Sequence, residues 1–246
     1  MDPVLLHVIA VIFLATLVRS TFGFGEALVA VPLLALRIPI NIAAPLAVLL
    51  SITVAGIVVA QDWRHVHLRP AVGLLLATLP GIPLGLLLLT RADERLVKAL
   101  LAAVIIAFST WSLLGSPRAW SSSMDRRRWL LGFGCVAGIL GGAYGMNGPP
   151  LVMYATLQRW SPQRFRATLQ GYFLPASAIG MVGYWLEGLW VPAVTRYYLL
   201  SLPASLVAIV LGREINRRLH GDGFVRLVHV GLIAIGVTLL VQAIRP

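Results

Sequence analysis

The chain has 246 residues, of which 59% are apolar and 12% are charged, and its net charge is +11. A soluble domain is nearer half apolar and about a quarter charged, so this composition excludes an ordinary soluble protein. The excess positive charge lies in short loops between long apolar stretches, which is typical of membrane proteins rather than of nucleic-acid-binding proteins.

Long stretches with hardly any charge recur along the chain. Examples are Ile40–Ala60, Ala71–Thr90 and Leu96–Gly115. One helix across the core of a bilayer needs about 20 such residues. We therefore expect an all-α polytopic protein that crosses the cell (inner) membrane several times, with the lipid bilayer as its surroundings.

The first apolar stretch, Val4–Val18, has no positively charged start and no small-residue cleavage site, so we expect it to belong to the fold. It is followed by STFGFG (Ser20–Gly25) and by a second apolar stretch, Ala27–Leu36. Each stretch is short for a span, and the two together are too long for one. They predict either a hairpin whose glycine-rich tip lies inside the membrane or a single broken span.

The second half of the chain resembles the first. FGFGEALVAVP (Phe22–Pro32) aligns with YGMNGPPLVMY (Tyr144–Tyr154) at an offset of 122 residues. TLPGIPLGLLLL (Thr78–Leu89) aligns with SLPASLVAIVLG (Ser201–Gly212) at an offset of 123. Such steady offsets indicate a duplication, which is a common plan of secondary transporters.

The duplication predicts a first membrane repeat at residues 1–115, a basic linker at 116–128 and a second repeat at 129–246. If each break is a hairpin tip, each repeat is a glycine-broken helical hairpin plus three transmembrane helices, and the repeats are inverted. If each break lies within one span, the chain crosses eight times and the repeats are parallel. Inverted repeats would place thirteen Lys and Arg on one side and six on the other, against eleven and eight for parallel repeats. The larger asymmetry favours inverted repeats with a cytoplasmic linker.

The second break, GGAYGMNGPPLVMY (Gly141–Tyr154), interrupts an apolar stretch with glycines, an asparagine and two prolines. Asn147 suits an N-cap, and the two prolines that follow suit the first turn of a helix. A helix should therefore begin near Gly148 and run to about Leu157. The equivalent helix of the first repeat should begin near Gly25.

Both breaks suggest an anion site. Unwound backbone is tolerated in a membrane only where protein buries it or a wet cavity meets it. A helix N-terminus presents free N–H groups and a partial positive charge, so it attracts anions. Two such helix starts meeting near the midplane would form a small anion-binding cavity. The alternative is a close helix crossing that glycines permit and that binds no ligand.

Charged and polar residues near the breaks extend this hypothesis. Arg19 carries a guanidinium fork that suits an oxyanion, but it could instead pair with Glu26 or reach the membrane surface. Glu26 would be favourable at the start of a helix, or it could take up a proton in step with the anion. Arg166 and Gln170 are four residues apart and so share one helix face. Gln170 is the deeper of the two in the apolar stretch.

The predicted site has binding residues and no catalytic ones. The substrate-binding candidates are Arg19, Ser20, Thr21, Gly23, Gly25, Tyr144, Gly145, Asn147, Gly148 and Gln170, and Glu26 is the candidate for proton coupling. The five histidines have no convincing metal-ligand spacing, and the single cysteine, Cys135, excludes an intramolecular disulfide. We therefore expect no metal, no cofactor and no nucleic-acid partner, and a small anion as the substrate; a homodimer is compatible with the sequence.

At these breaks the chain resembles the TauE/SafE family of membrane sulfite exporters. In the first half, Gly23 and Gly25 precede LVAVPLL (Leu28–Leu34). In the second half, Gly145 and Gly148 precede PPLVMY (Pro149–Tyr154). These elements carry the resemblance. The resemblance covers nearly the whole chain and implies export of sulfite or of a small organosulfonate such as sulfoacetate. Glu26 and Ala27 stand where the family often has more glycine.

Three alternatives compete with transport of a sulfur oxyanion. A membrane-embedded enzyme is disfavoured, because the spans contain no paired carboxylates, no Ser-His-Asp arrangement and no GxxxxGK[ST] nucleotide-binding loop. A transporter of another small anion or of a proton-coupled solute, and a membrane partner subunit that transports nothing, both remain open. Flux into sealed vesicles separates these alternatives, since a partner subunit alone would move no solute.

Overall fold

The computed structural model describes residues 2–62, 68–114, 126–218 and 223–244, and the regular structure in these ranges is entirely α-helical. The described helices are α1 (Pro3–Phe22), α2 (Glu26–Leu34), α3 (Ile40–Asp62), α4 (Leu68–Thr78), α5 (Gly81–Arg91), α6 (Glu94–Leu114), α7 (Arg126–Tyr144), α8 (Gly148–Leu157), α9 (Pro162–Leu186), α10 (Pro192–Arg218) and α11 (Gly223–Ile244). The all-α prediction is thus confirmed for these residues. Most of the predicted linker, at 116–125, lies outside them.

Several of these helices are long and apolar enough to cross a membrane. In the described ranges, four single segments meet this condition, namely Pro3–Phe22, Ile40–Ile57, Glu94–Leu114 and Pro192–Arg217. The pair α4 and α5, bent by 44° at the break between them, meets it when the two helices are counted as one span. A polytopic membrane protein is therefore confirmed.

The two halves place their short helices at matching points. The nine-residue α2 begins at Glu26 and the ten-residue α8 begins at Gly148, and each follows a three-residue break after a long helix. The next helices, α3 and α9, begin at Ile40 and Pro162. Both pairs of starts are 122 residues apart, which is the offset of the sequence repeat.

Helices of each half pack mainly against helices of the other half. Helix α1 packs along α10, and its counterpart α7 packs along α4 and α5, which occupy the place of α10 in the first half. The remaining large contacts join α3 with α9 and α6 with α11, that is, each helix with its own counterpart. A two-fold relation between the halves would produce this pattern, whether the repeats are inverted or parallel.

Small residues let α5 and α7 approach closely. A Cβ added to Gly81 would overlap the carbonyl oxygen of Cys135, and one added to Gly85 would overlap the carbonyl oxygen of Ile139. In membranes, where apolar burial gives little drive for association, close backbone approach of this kind is a main source of helix packing. The bent pair α4–α5 is thereby held against the helix that leads into the second break.

Candidate functional site

The first break is shorter than the sequence predicted. Helix α1 continues to Phe22 and is capped by Gly23, whose φ of 85° is left-handed and whose N–H donates to the Arg19 carbonyl. Gly25, with φ 96°, precedes α2, and its backbone conformation favours glycine. Arg19, Ser20 and Thr21 therefore lie in the last turns of α1 rather than in unwound backbone. Of the STFGFG segment (Ser20–Gly25), only the last three residues are therefore outside a helix.

The second break agrees with the sequence in position but not in how it is capped. Helix α8 spans Gly148–Leu157, as expected, and Gly145 has a left-handed φ of 65°. Asn147, however, has a helical backbone (φ −73°, ψ −20°), and its side chain makes no capping hydrogen bond. A side-chain N-cap needs an extended backbone at that residue. The Asn147 amide instead donates to the hydroxyl of Tyr172 at 3.0 Å.

A buried ion pair connects α1 with α2. The Nη1 atom of Arg19 lies 2.5 Å from Oε2 of Glu26, and the two side chains are 8% and 2% exposed. The hydroxyl of Thr16, one turn earlier on α1, donates to the other carboxylate oxygen at 3.3 Å. Of the alternatives that the sequence left open for Arg19, pairing with Glu26 is therefore the one realised in this conformation.

Arg19 also contacts α3 and α9. Its Nη1 donates to the hydroxyl of Ser51 on α3 at 2.6 Å, and that hydroxyl accepts from Ser177 on α9 at 3.2 Å. The guanidinium carbon lies 5.1 Å from the centre of the Phe173 ring, within the range of a cation–π contact. Four helices, α1, α2, α3 and α9, thus converge on one guanidinium.

A small cavity lies between the two breaks. Its volume is about 20 Å³, which is enough for about one water molecule. It is lined by Arg19, Phe24, Gly25, Glu26, Ala27, Leu28, Ser51, Gly145, Met146, Asn147, Gly148, Pro149 and Phe173. The starts of α2 and α8 therefore both line this cavity.

The structure brings together part of the predicted set. Of the predicted substrate-binding residues, those lining the cavity are Arg19, Gly25, Gly145, Asn147 and Gly148, together with Glu26. Gly23 is exposed and does not line it. Tyr144 is buried and donates its hydroxyl to the Val97 carbonyl on α6 at 2.9 Å. The side chain of Gln170 lies outside the described residues.

Ser20 and Thr21 face α10 instead of the cavity. The Thr21 hydroxyl lies 2.8 Å from the Leu17 carbonyl and 3.3 Å from the Gly212 carbonyl, and the Asn216 amide donates to the Thr21 carbonyl. A Cβ added to Gly212 would lie 2.5 Å from that of Ser20. The end of α1 therefore packs against α10, and Ser20 and Thr21 support the first break from the side away from the cavity.

Sequence reasoning missed several residues of the lining. Ser51 and Phe173 contact Arg19 directly, and Phe24 and Met146 form the middle of each break. Ser51 could have been singled out as one of two hydroxyl residues, with Thr53, in the apolar stretch of α3. Phe173 carried no signal, because an aromatic residue in a membrane helix is more often part of the packing.

The chemistry available at the cavity is that of a few charged and polar groups. In the part of the chain that the structure describes, no group of three or more His, Cys, Asp and Glu side chains is placed to hold a metal ion. The cavity instead combines one cation, one carboxylate, a hydroxyl and two helix starts. In this conformation the Nη1 atom of Arg19 is engaged by both Glu26 and Ser51.

Comparison with known proteins connects this geometry to a family. The chain is 29% identical over 184 residues to the "Probable sulfite/organosulfonate exporter TauE" of Cupriavidus necator, covering 74% of this chain and 70% of that protein. No solved structure matches it. Residues 8–239, which include both breaks and all of the cavity lining, match the family described as "Sulfite exporter TauE/SafE". The chain therefore belongs to the TauE/SafE family of sulfite exporters, which are membrane transporters.

Proposed function

We propose that the protein is a secondary transporter that exports a small sulfur-containing oxyanion, either sulfite or an organosulfonate such as sulfoacetate. The observation that carries this proposal is the convergence of Arg19 and the starts of α2 and α8 on one cavity. The similarity to a probable sulfite/organosulfonate exporter supports the class of substrate.

The anion would be held by charge and by backbone N–H groups. The free N–H groups and partial positive charge of two helix starts attract an anion, and a guanidinium can bind two of its oxygens at once. Each hydrogen bond to a charged group is worth about 1.5–3 kcal/mol. The Ser51 hydroxyl adds a neutral partner, and Phe24, Phe173 and Met146 supply apolar walls for the organic part of a sulfonate.

Glu26 would act as the competitor that the substrate replaces. In the closed conformation it occupies Arg19, so an incoming oxyanion must take over that guanidinium. Protonation of Glu26 removes its charge and frees Arg19 for the substrate. Substrate binding would then accompany proton uptake at Glu26, and release of the proton would restore the ion pair as the anion leaves.

The size of the cavity indicates that the anion site must open. A cavity of about 20 Å³ admits a water molecule but no sulfonate. Movement of the two halves against each other about the breaks would widen it toward one side of the membrane at a time. Inverted repeats, each consisting of a broken hairpin and three spans, provide two such related states.

Flux into sealed vesicles tests the proposal. The purified protein would be reconstituted and offered sulfite, sulfate, thiosulfate, sulfoacetate and taurine. We expect saturable transport of sulfite or a sulfonate, and a tenfold to hundredfold weaker apparent affinity in Arg19→Lys, which keeps the charge but loses the fork; about 1.4 kcal/mol corresponds to tenfold. Arg91→Lys, the same change at an exposed position, is the matched control.

The outcomes separate the alternatives. Movement of a different anion with the same loss in Arg19→Lys would keep the site and replace the substrate. Absence of any flux from folded protein would favour a partner subunit that transports nothing. Equal transport by wild type and Arg19→Lys would remove Arg19 from the binding site.

A further inference from the structure

A second polar network leads away from the cavity and consists of three side chains, those of Asn147, Tyr172 and Thr78. The Asn147 amide nitrogen lies 3.0 Å from the Tyr172 hydroxyl, which lies 3.0 Å from the Thr78 hydroxyl. Asn147 is 6% exposed, and the other two residues are fully buried. At this burial an unmade hydrogen bond is costly, so the three side chains constrain one another.

The donors and acceptors of this chain run in one direction. The Thr78 hydroxyl donates to the Leu74 carbonyl at 2.8 Å, so its single proton is already used. The proton between Thr78 and Tyr172 must therefore come from Tyr172. The Tyr172 oxygen in turn accepts from the Asn147 amide. The loss of any one member leaves a buried donor or acceptor on its neighbour without a partner.

The far end of the chain lies at a structural bend. Thr78 is the last residue of α4, immediately before the break where α4 and α5 meet at 44°. Beyond the bend, α5 packs against α7, the helix that ends at the second break. The hydroxyl of Tyr172 thus joins two irregular points of the backbone, the α4–α5 bend and the start of α8, through a third helix, α9.

Helix α9 also reaches Arg19. Phe173, the residue next to Tyr172, lies under the guanidinium, and its ring lies 5.7 Å from that of Tyr172. One turn further along, Ser177 donates to Ser51. Two adjacent residues of α9 therefore contact different parts of the cavity lining: Phe173 contacts Arg19, and Tyr172 contacts Asn147. A shift of the whole of α9 would therefore alter both sets of contacts.

We propose that Tyr172 is a positioning residue that couples the cavity to the α4–α5 bend, so that the second break and the bend change conformation together. Its role in transport rests on the proposed function; the coupling itself does not. The chain of hydrogen bonds keeps the second break and the bend in register, so that the cavity opens productively only when both move together.

Amide hydrogen exchange of the purified protein tests the coupling without any substrate. The reporters are the amides of Gly145 and Met146, which donate to the carbonyls of Gly141 and Leu140, and the amide of Leu79, which donates to that of Leu75. We expect Tyr172→Phe to speed exchange at both places by about tenfold, because it leaves buried polar groups unpaired. Tyr198→Phe is the matched control, since it removes a hydroxyl whose hydrogen bond, to Thr53 on α3, involves none of the reporter amides or their acceptors.

Thr78→Val gives the decisive remote readout. This substitution keeps the shape of Thr78, and Thr78 has no hydrogen bond to Asn147, yet we expect faster exchange at Gly145 and Met146. If Tyr172→Phe fails to fold, this variant carries the test alone. Exchange that changes only beside Thr78, or that changes equally in Tyr198→Phe, would overturn the proposal.

Transport measurements then separate positioning from simple loss of structure. We expect Tyr172→Phe and Thr78→Val to lower the maximal rate about tenfold with little change in KM, and the double variant to be no worse than either single one. Additive losses, or a change in KM alone, would contradict the coupling. If the wild type moves no sulfur oxyanion, the proposed function fails, while the exchange pattern still decides the role of Tyr172.

Discussion

One guanidinium nitrogen of Arg19 donates to both Glu26 and Ser51. The Glu26 carboxylate balances the charge of Arg19 inside the protein. Removing one partner of a buried ion pair costs about 3–5 kcal/mol, because the other charge is left uncompensated. The pair therefore holds α1 and α2 together across the first break. A ligand can take Arg19 only if it offers a comparable negative charge or arrives when Glu26 is neutral.

This competition predicts the pH dependence of transport. Wild-type transport should speed up as the pH falls toward the range in which Glu26 is protonated. Glu26→Gln should transport at a rate that no longer depends on pH, since the amide keeps the size of the side chain and cannot ionise. The measurement is flux of methanesulfonate into vesicles at a series of pH values, because this probe remains a monoanion throughout.

The control for this prediction is Glu187→Gln, the same change at an exposed residue, which should keep the wild-type profile. A profile in Glu26→Gln that follows the wild type would assign proton coupling to another group. Loss of all flux together with a lower unfolding temperature would instead assign Glu26 to holding the break closed.

At the residue scale, the sequence indicated the charges and not their surroundings. Arg19 and Glu26 stand out because charge is rare in apolar stretches. The orientation of Thr21 could not be predicted, because it depends on Leu17 one turn back and on Gly212, which is 191 residues away. For Asn147, the common preference for capping was overridden by a buried tyrosine that needs a donor.

At the scale of elements, the two breaks depend on glycines with left-handed backbone. Gly145 has φ 65°, and a Cβ there would lie 2.6 Å from a methyl carbon of Val48. Glycine, asparagine and two prolines in a row predicted the bounds of α8 correctly, because each restricts the backbone locally. The end of α1 was predicted too early, because Ser20 and Thr21 resemble loop residues but satisfy their neighbours within a helix pair.

We expect Gly145→Ala to destabilise the protein by about 2 kcal/mol or more, since it combines a left-handed conformation with a steric clash. Gly132→Ala is the matched control, because Gly132 lies on α7, the helix before this break, and an added Cβ there would have no neighbouring heavy atom within 4 Å. It should be neutral or stabilise α7 by about 0.5–1 kcal/mol. Thermal unfolding in detergent measures both. Equal midpoints for the two variants would mean that the second break does not need its left-handed residue.

At the scale of the whole molecule, the two halves share a framework and differ in chemistry. At the repeat offset of 122 residues, Arg19 aligns with Gly141 and Glu26 aligns with Gly148, so the charged pair has no counterpart in the second half. The second half instead contributes Asn147 and its hydrogen bond to Tyr172. The repeat and the missing charges of the second half could be predicted from the sequence. The hydrogen bond from Asn147 to Tyr172 on α9 could not.

The orientation of the halves gives the last prediction. With inverted repeats, the turn between α5 and α6 and the turn between α9 and α10 lie on the outside, and the turn between α8 and α9 lies in the cytoplasm. Single cysteines at Ala92, Glu187 and Ser161, in a Cys135→Ala background, can be treated with an impermeant thiol reagent on intact cells and again after permeabilisation. We expect Ala92 and Glu187 to react in intact cells and Ser161 to react only after permeabilisation. Parallel repeats would instead place Ala92 and Ser161 on one side and Glu187 on the other. Reaction of Glu187 in intact cells while Ala92 and Ser161 both stay silent would therefore contradict the inverted arrangement, and with it the proposal that two oppositely oriented hairpins open the cavity to each side in turn.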